Sequence, residues 1–247
     1  MNLVSVRSRM RWLFNTLVRQ ITLIRYPAIR HAQMAVLHHS PQPYYVSAYQ
    51  AEEPGYWLPI PAWIEQDFKF KTPKRCLDIG CAYGTLAVYS QQRFRCPIYC
   101  TDIRQILSPD LIAAFQLTFM MHNIELEPLP WDGLFDLILM TEVLEHLNFH
   151  PLPTLKKIAQ ALSTEGRFYL STPDAQSWGR QENKYLGVDQ IPPVSPDMPI
   201  EDRHIYLYDR DELSALVEAA GFQIERFGYA PGKMARHLNL ALSKKAQ

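Results

Sequence analysis

The sequence contains only four cysteines in 247 residues, Cys76, Cys81, Cys96 and Cys100, and no two of them stand at the two-residue spacing of a zinc knuckle. They read as reduced, mostly buried residues behaving as small hydrophobes. Long apolar runs are also missing. The apolar stretches near the N-terminus are interrupted by Arg19 and Arg25, well short of the roughly 20 apolar residues that a membrane-spanning helix needs. No secretory signal, internal repeat or low-complexity tract is visible, so a cytoplasmic location is expected. Net charge is zero by count and selects no partner.

One further absence is local. Residues 1–51 contain no Asp or Glu, yet carry Arg7, Arg9, Arg11, Arg19, Arg25 and Arg30, which leaves the remainder acidic by six. Such asymmetry can mark an anionic partner. Met10, Leu13, Phe14, Leu17, Val18, Ile21 and Ile24 recur at three- and four-residue steps, predicting one amphipathic helix that ends at Tyr26-Pro27. Packing over the ligand as a lid is its first reading. Lying on an anionic membrane surface, or docking a lipid-linked substrate, is the second, and nucleic-acid binding the third. Because no aromatic-interleaved basic patch occurs elsewhere, nucleic acid is not the expected partner. Residues 40–61, dense in proline and aromatics, are expected to be irregular.

From Thr72-Pro73 onward short apolar runs alternate with helical stretches, as in a parallel sheet with crossover helices. Strands are expected near 75–79, 97–101, 118–122, 135–140, 166–171, 222–228 and 235–242, and helices near 85–93, 105–116, 153–162 and 209–220. Six residues, Tyr229 to Met234, are too few for a crossover helix, so the last two strands should form an antiparallel hairpin. The fold class is therefore α/β: a doubly wound, mostly parallel seven-stranded sheet with a C-terminal antiparallel strand. The chain divides into a basic helix with a lid segment (1–71) and a ligand-binding domain (72–247). The proline-rich stretch 173–203 follows the fifth strand and should emerge at the carboxyl edge of the sheet, where ligands of such folds sit.

The segment Asp78-Ile79-Gly80-Cys81-Ala82-Tyr83-Gly84 turns an apolar strand ending in an acid into a helix. Glycines allow positive φ and close approach of a ligand, and the helix start offers unpaired N–H groups. Its G-x-x-x-G spacing differs from the G-x-G-x-x-G of nicotinamide folds. It resembles instead the first motif of class I S-adenosylmethionine-dependent methyltransferases, with Ala82 in place of the middle glycine. Three more segments extend the resemblance over residues 73–243. Asp102 closes the second strand, Asn123-Ile124 follows the third, and Thr141-Glu142-Val143-Leu144-Glu145-His146 follows the fourth.

That resemblance implies S-adenosylmethionine as cofactor, bound by Asp78, Gly80, Cys81, Ala82, Gly84, Asp102, Ile103, Asn123, Ile124 and Thr141. Asp78 and the glycine loop would hold the methionine part, Asp102 the ribose diol, and Asn123 with Ile124 the adenine; Asn123 could equally be a turn residue. His146 and His204 are the catalytic candidates, as general bases. Glu142, Glu145 and His146 are expected on one helical face, capping and orienting it. With His204 they also resemble the metal site of small-RNA 3′-terminal 2′-O-methyltransferases, but no metal is expected. Trp178, Tyr185, Tyr206 and Tyr208 are candidate pocket walls. The expected activity is methyl transfer to an oxygen, or else a nitrogen, of a small or lipid-linked metabolite. The alternatives are a magnesium-dependent RNA 2′-O-methyltransferase and a non-catalytic cofactor-binding scaffold at a membrane.

Overall fold

The computed structural model describes residues 26–233 and 235–245, together with Leu13, Leu17, Gln20 and Ile24. The amphipathic helix expected over 10–24 lies almost wholly outside the described residues. A seven-stranded sheet has the order β3-β2-β1-β4-β5-β7-β6. Its strands are β1 (Cys76–Ile79), β2 (Ile98–Asp102), β3 (Thr118–Met121), β4 (Phe135–Thr141), β5 (Leu162–Pro173), β6 (Phe222–Ala230) and β7 (His237–Lys244). All neighbours run parallel except β7, which lies antiparallel between β5 and β6. A seven-stranded, mostly parallel sheet with one antiparallel C-terminal strand is the expected fold.

Strands in such a sheet are covered on both faces and need apolar residues throughout. β1 meets this with four buried residues in a row. On one face Leu77, Ile79, Ile138, Met140, Phe168 and Leu170 pack against α5 (Leu152–Ala161) and α6 (Arg210–Ala219). On the other, Cys76, Cys100, Leu137, Leu139 and Tyr169 pack with α3 (Thr85–Phe94) and with the segment before β1. A shorter helix, α4 (Pro109–Phe115), precedes β3. The 105–116 prediction began too early, because Ser108 caps the helix by accepting the Leu111 N–H and Pro109 takes its first position.

The expectation of irregular structure over 40–61 is overturned, while the helix break expected at Tyr26-Pro27 is present, since Tyr26 is not helical. Pro27 opens α1 (Pro27–His39), which buries Ile29, Ala32, Gln33 and Val36 along one stripe. Residues 45–55 form a tight helical run, a π-turn at Tyr45–Tyr49 followed by single turns at Gln50–Glu52 and Glu53–Gly55, and α2 spans Ile60–Asp67. The prolines were misread as breakers. Pro27, Pro54 and Pro61 all stand in the first turn of a helical element, where a missing N–H leaves nothing unsatisfied.

Stretch 173–203 is held in place by specific contacts. The Arg180 guanidinium donates to Asp209 (2.9 Å) and Glu212, the Lys184 N–H to the Ile205 carbonyl (2.9 Å), and the His150 N–H to the Pro192 carbonyl (2.8 Å). It contains a single helical turn at Ala175–Trp178 and another at Val188–Gln190. Asp209 caps α6 by accepting from the Asp211 and Glu212 N–H groups, while Glu212 accepts from the Asp209 N–H, a full capping box. Asp209→Ala removes that cap and an Arg180 partner together. A loss of roughly 1–2 kcal/mol is expected, read as a lower urea midpoint at unchanged slope; an unchanged midpoint contradicts this account.

Candidate active site

The sheet brings several strand ends to one edge. Ile79 pairs with Met140, Thr141 with Ser171, and Pro173 with His237, the first residue of the antiparallel strand. Beyond this edge lies a crevice of about 860 Å3, lined among others by Gly80, Ala82, Asp102, Ile103, Asn123, Ile124, Thr141, Glu142 and His146. A second hollow of about 300 Å3, sharing Tyr49, Gly80, Ala82 and Thr141 with it, is lined by Glu53, Asp78, Cys81, Tyr83 and Thr85.

The turn after β1 is built from left-handed residues. Gly80 stands at φ +69° and Gly84 at +87°. A Cβ on Gly80 would overlap Val143, one on Gly84 would meet the tip of Leu107, and at positive φ a side chain is strained at either position. Ala82 also has positive φ, +45°. The Gly80 N–H and Cys81 N–H donate to the Thr101 carbonyl (2.7 and 3.2 Å), and the Ala82 N–H donates to Asp102 Oδ2 (3.0 Å). These bonds tie the loop to the end of β2. Gly84 lines neither hollow; it starts α3. Asn123 Oδ1 accepts from the Glu125 N–H (2.8 Å), so part of its side chain serves a turn although the residue lines the crevice.

The strand-four segment departs from expectation. Glu142, Glu145 and His146 do not share a helical face, because Glu142 is left-handed (φ +57°) and only Leu144–His146 forms a short 3-10 turn. Neither acid caps a helix. Glu142 Oε1 accepts from Ser171 Oγ (2.8 Å) and its Oε2 lies 2.8 Å from His237 Nδ1. Glu145, fully buried, accepts from Thr172 Oγ1 (2.9 Å) and leaves Oε1 without a hydrogen bond. Burial and the Glu142 charge raise its carboxyl well above the usual range.

His204 is delivered from the far end of the proline-rich stretch. The Ile205 N–H donates to the Glu145 carbonyl (2.7 Å), and Asn148 exchanges two hydrogen bonds with the Glu201 backbone (2.8 and 3.1 Å). The rings of His146 and His204 meet edge to face at 4.9 Å. Burial depresses both imidazoles below their ordinary value, His204 depressing His146 further. Glu145, His146 and His204 each offer a ligand atom within 4.8 Å of the others, a donor set able to hold a cation.

From His204 an aromatic wall continues through Trp178 (6.1 Å), His237 (5.6 Å), Tyr56 (4.8 Å) and Tyr49 (6.2 Å). Of the four aromatic residues considered as walls, only Trp178 belongs to it. Tyr206 and Tyr208 are buried in the core, and Tyr185 packs against that core. Sequence reading missed Glu53, Tyr49 and His237. Glu52-Glu53 are the first acids after 51 acid-free residues, which was a usable signal; His237 in an apolar strand gave none.

A family profile described as a methyltransferase domain matches residues 55–226. The chain belongs to this family. It is an S-adenosylmethionine-dependent methyltransferase. No curated protein matches its sequence. Among solved structures, the Burkholderia thailandensis 1,6-didemethyltoxoflavin N1-methyltransferase is similar at TM-score 0.60 and 17% identity, covering 90% of each chain. The [4+2]-cyclase SpnF gives 0.58 at 14%, covering 78% of this chain and 87% of that one. Magnesium protoporphyrin IX methyltransferase from Synechocystis gives 0.52 at 19%, covering 74% and 80%. At these identities the likeness establishes the fold. The methyltransferase's two joined hollows fit the cofactor: among the described residues the smaller is walled by two buried carboxylates and by no cationic side chain. Among the described residues no helix is long and apolar enough to cross a membrane.

Ala82 holds a backbone conformation that an L-residue adopts at a cost of roughly 1–2 kcal/mol. Ala82→Gly relieves it, partly offset by the greater freedom of glycine in the unfolded chain. A gain of a few tenths to about 1 kcal/mol in unfolding free energy is expected; a loss would mean that the Ala82 methyl makes a needed contact.

Proposed function

We propose that the methyltransferase transfers a methyl group to an oxygen, or else a nitrogen, of a small or lipid-linked metabolite held between the crevice and the aromatic wall. The observation that carries this reading is the pair of half-buried imidazoles, His146 and His204, beside Glu142 where that wall meets the crevice. S-adenosylmethionine, when bound, supplies an electrophilic methyl group on a sulfonium. Asp78 and residues Gly80 to Gly84 line or build the hollow for the methionine part. Asp102 receives the ribose diol, and Ile103, Asn123, Ile124 and Thr141 border the nucleoside.

The chain's own work is alignment and one proton. Holding nucleophile and electrophile in line supplies much of the acceleration of such a displacement. An imidazole depressed below pH 6.5 is unprotonated at neutral pH and can take the proton of a hydroxyl acceptor. Trp178, Tyr56 and Tyr49 offer faces against which a planar ring can stack. The small-molecule methyltransferases among the structural relatives point the same way. The basic, acid-free N-terminal segment suits a lipid-linked acceptor or a peripheral contact with an anionic membrane, and a cytoplasmic setting follows from this reading.

A second reading rests on the Glu145–His146–His204 donor set: a divalent cation held there would assist transfer to the terminal hydroxyl of an RNA. Chelation separates the two. Under the proton-transfer reading, methyl transfer to a panel of phenolic, hydroxylated and N-heterocyclic acceptors is indifferent to EDTA. His204→Ala then lowers kcat by roughly 100-fold to 10,000-fold without changing affinity for S-adenosylhomocysteine. The acid limb of the kcat profile lies below pH 6.5. Activity abolished by EDTA and restored by magnesium would establish the second reading instead.

Asp102→Ala is expected to weaken S-adenosylhomocysteine binding by about 1–3 kcal/mol, the loss typical of hydrogen bonds to a charged group. Unchanged affinity by calorimetry removes Asp102 from the ribose site.

A further inference from the structure

Glu53 belongs to the helical run before β1, outside every motif of the methyltransferase core. Its carboxylate is buried (4% exposed) yet receives three side-chain hydrogen bonds. Gln33 Nε2 donates at 2.9 Å, Tyr45 Oη at 3.0 Å and Thr85 Oγ1 at 2.8 Å. All three fall on Oε1. Among the described residues nothing donates to Oε2, and the residue lines the smaller hollow beside Asp78. Thr85 opens α3 directly after Gly84, so Glu53 is fixed against the start of the helix that follows the glycine turn.

The electrostatics of this hollow are one-sided. Among the described residues its lining contains two carboxylates, Glu53 and Asp78, and no Lys, Arg or His. A buried carboxylate without a cation is costly, and the strain shows in both groups. Burial pushes Glu53 up to about 7 and, with the Asp102 charge, Asp78 up to about 8. Such a site gains most from a ligand that brings its own positive charge. The three donors on Oε1 favour the ionised form of Glu53 and orient it, whereas Asp78 is pressed towards the protonated form by its neighbour.

We propose that Glu53 is the counter-charge for the α-ammonium group of the cofactor's amino-acid part, with Gln33, Tyr45 and Thr85 fixing its carboxylate and Oε2 receiving the ammonium. The segment before β1 thereby contributes a binding group to the cofactor site as well as covering the sheet. The inference rests on the cofactor and is independent of the methyl acceptor.

Calorimetry on the full chain at pH 7.5 tests it with two probes, S-adenosylhomocysteine and 5′-methylthioadenosine, the same nucleoside thioether without the amino-acid part. Glu53→Gln is expected to weaken S-adenosylhomocysteine at least tenfold while leaving 5′-methylthioadenosine within twofold. The variant should therefore lose most of the wild-type preference for the amino-acid-bearing ligand. Equal weakening of both ligands, or of neither, overturns the proposal. Should Glu53→Gln fail to fold, the wild-type protein decides. S-adenosylhomocysteine lacking its amino group should bind at least tenfold more weakly than the parent, and equal affinities overturn the proposal. Wild-type protein binding neither nucleoside would overturn the cofactor assignment itself, and the proposal with it.

Discussion

Four residues at the carboxyl edge of the sheet, Gly80, Ala82, Gly84 and Glu142, stand in the left-handed region, and the site exists because they do. Strands β1 and β4 are neighbours in register and would simply go on pairing beyond Ile79 and Met140, leaving no opening, if neither turned away. β1 turns through glycines at positive φ, with Val143 pressed against Gly80. β4 turns at Glu142, a residue with a full side chain in an uncommon conformation. Strain of that kind persists only where the surroundings over-determine it. Here Ser171 Oγ donates to one carboxylate oxygen of Glu142, His237 stands beside the other, and the Glu142 N–H donates to the Ser171 carbonyl (2.9 Å). The space between the diverging turns is the crevice.

Much of this was legible in the sequence because parallel strands announce themselves. Buried on both faces, they read as short apolar runs, and an acid followed by glycines marks where such a run ends in a tight turn. Asp78, Asp102 and the glycine loop are thus legible at the ends of their strands. What failed to be legible depends on contacts between distant segments. Glu142 was assigned to a helical face from its spacing to Glu145 and His146, since nothing local reveals that its partners are Ser171, 29 residues away, and a histidine on β7. His237 stood among apolar residues of a strand. Only antiparallel insertion of β7 beside β5 carries its first residue to the edge where the parallel strands end.

The segment before β1 failed for another reason. Its prolines were counted as breakers when their position, in the first turn of each helical element, makes them starters. The consequence is functional as well as architectural. Ile29, Val36, Tyr45, Ile60 and Ile64 belong to the same buried cluster as Leu86 and Tyr89 of α3, so the segment completes one face of the sheet. Tyr49 and Glu53 are then held at the hollows by a packed core rather than by a loop.

The placement of carboxylates around the two hollows also bears on how such a site can work. Methyl transfer from a sulfonium removes a positive charge, so a carboxylate beside the reacting centre holds the starting state more firmly than the transition state and slows the step. A carboxylate beside a charge that persists through the reaction binds both states alike, adding affinity without raising the barrier. Glu53 lines the smaller hollow only, on the Asp78 side, whereas Glu142, His146 and Asp202 line the larger one. Glu142, beside His237 of the aromatic wall, has one oxygen already accepting from Ser171. The fold alone requires none of this, as its occurrence in a [4+2]-cyclase makes plain. The distribution of charge between the hollows, with one oxygen of Glu53 that receives no donor among the described residues and one of Glu142 already bonded to Ser171, suits this edge of the sheet to a cation that must be bound firmly and neutralised quickly.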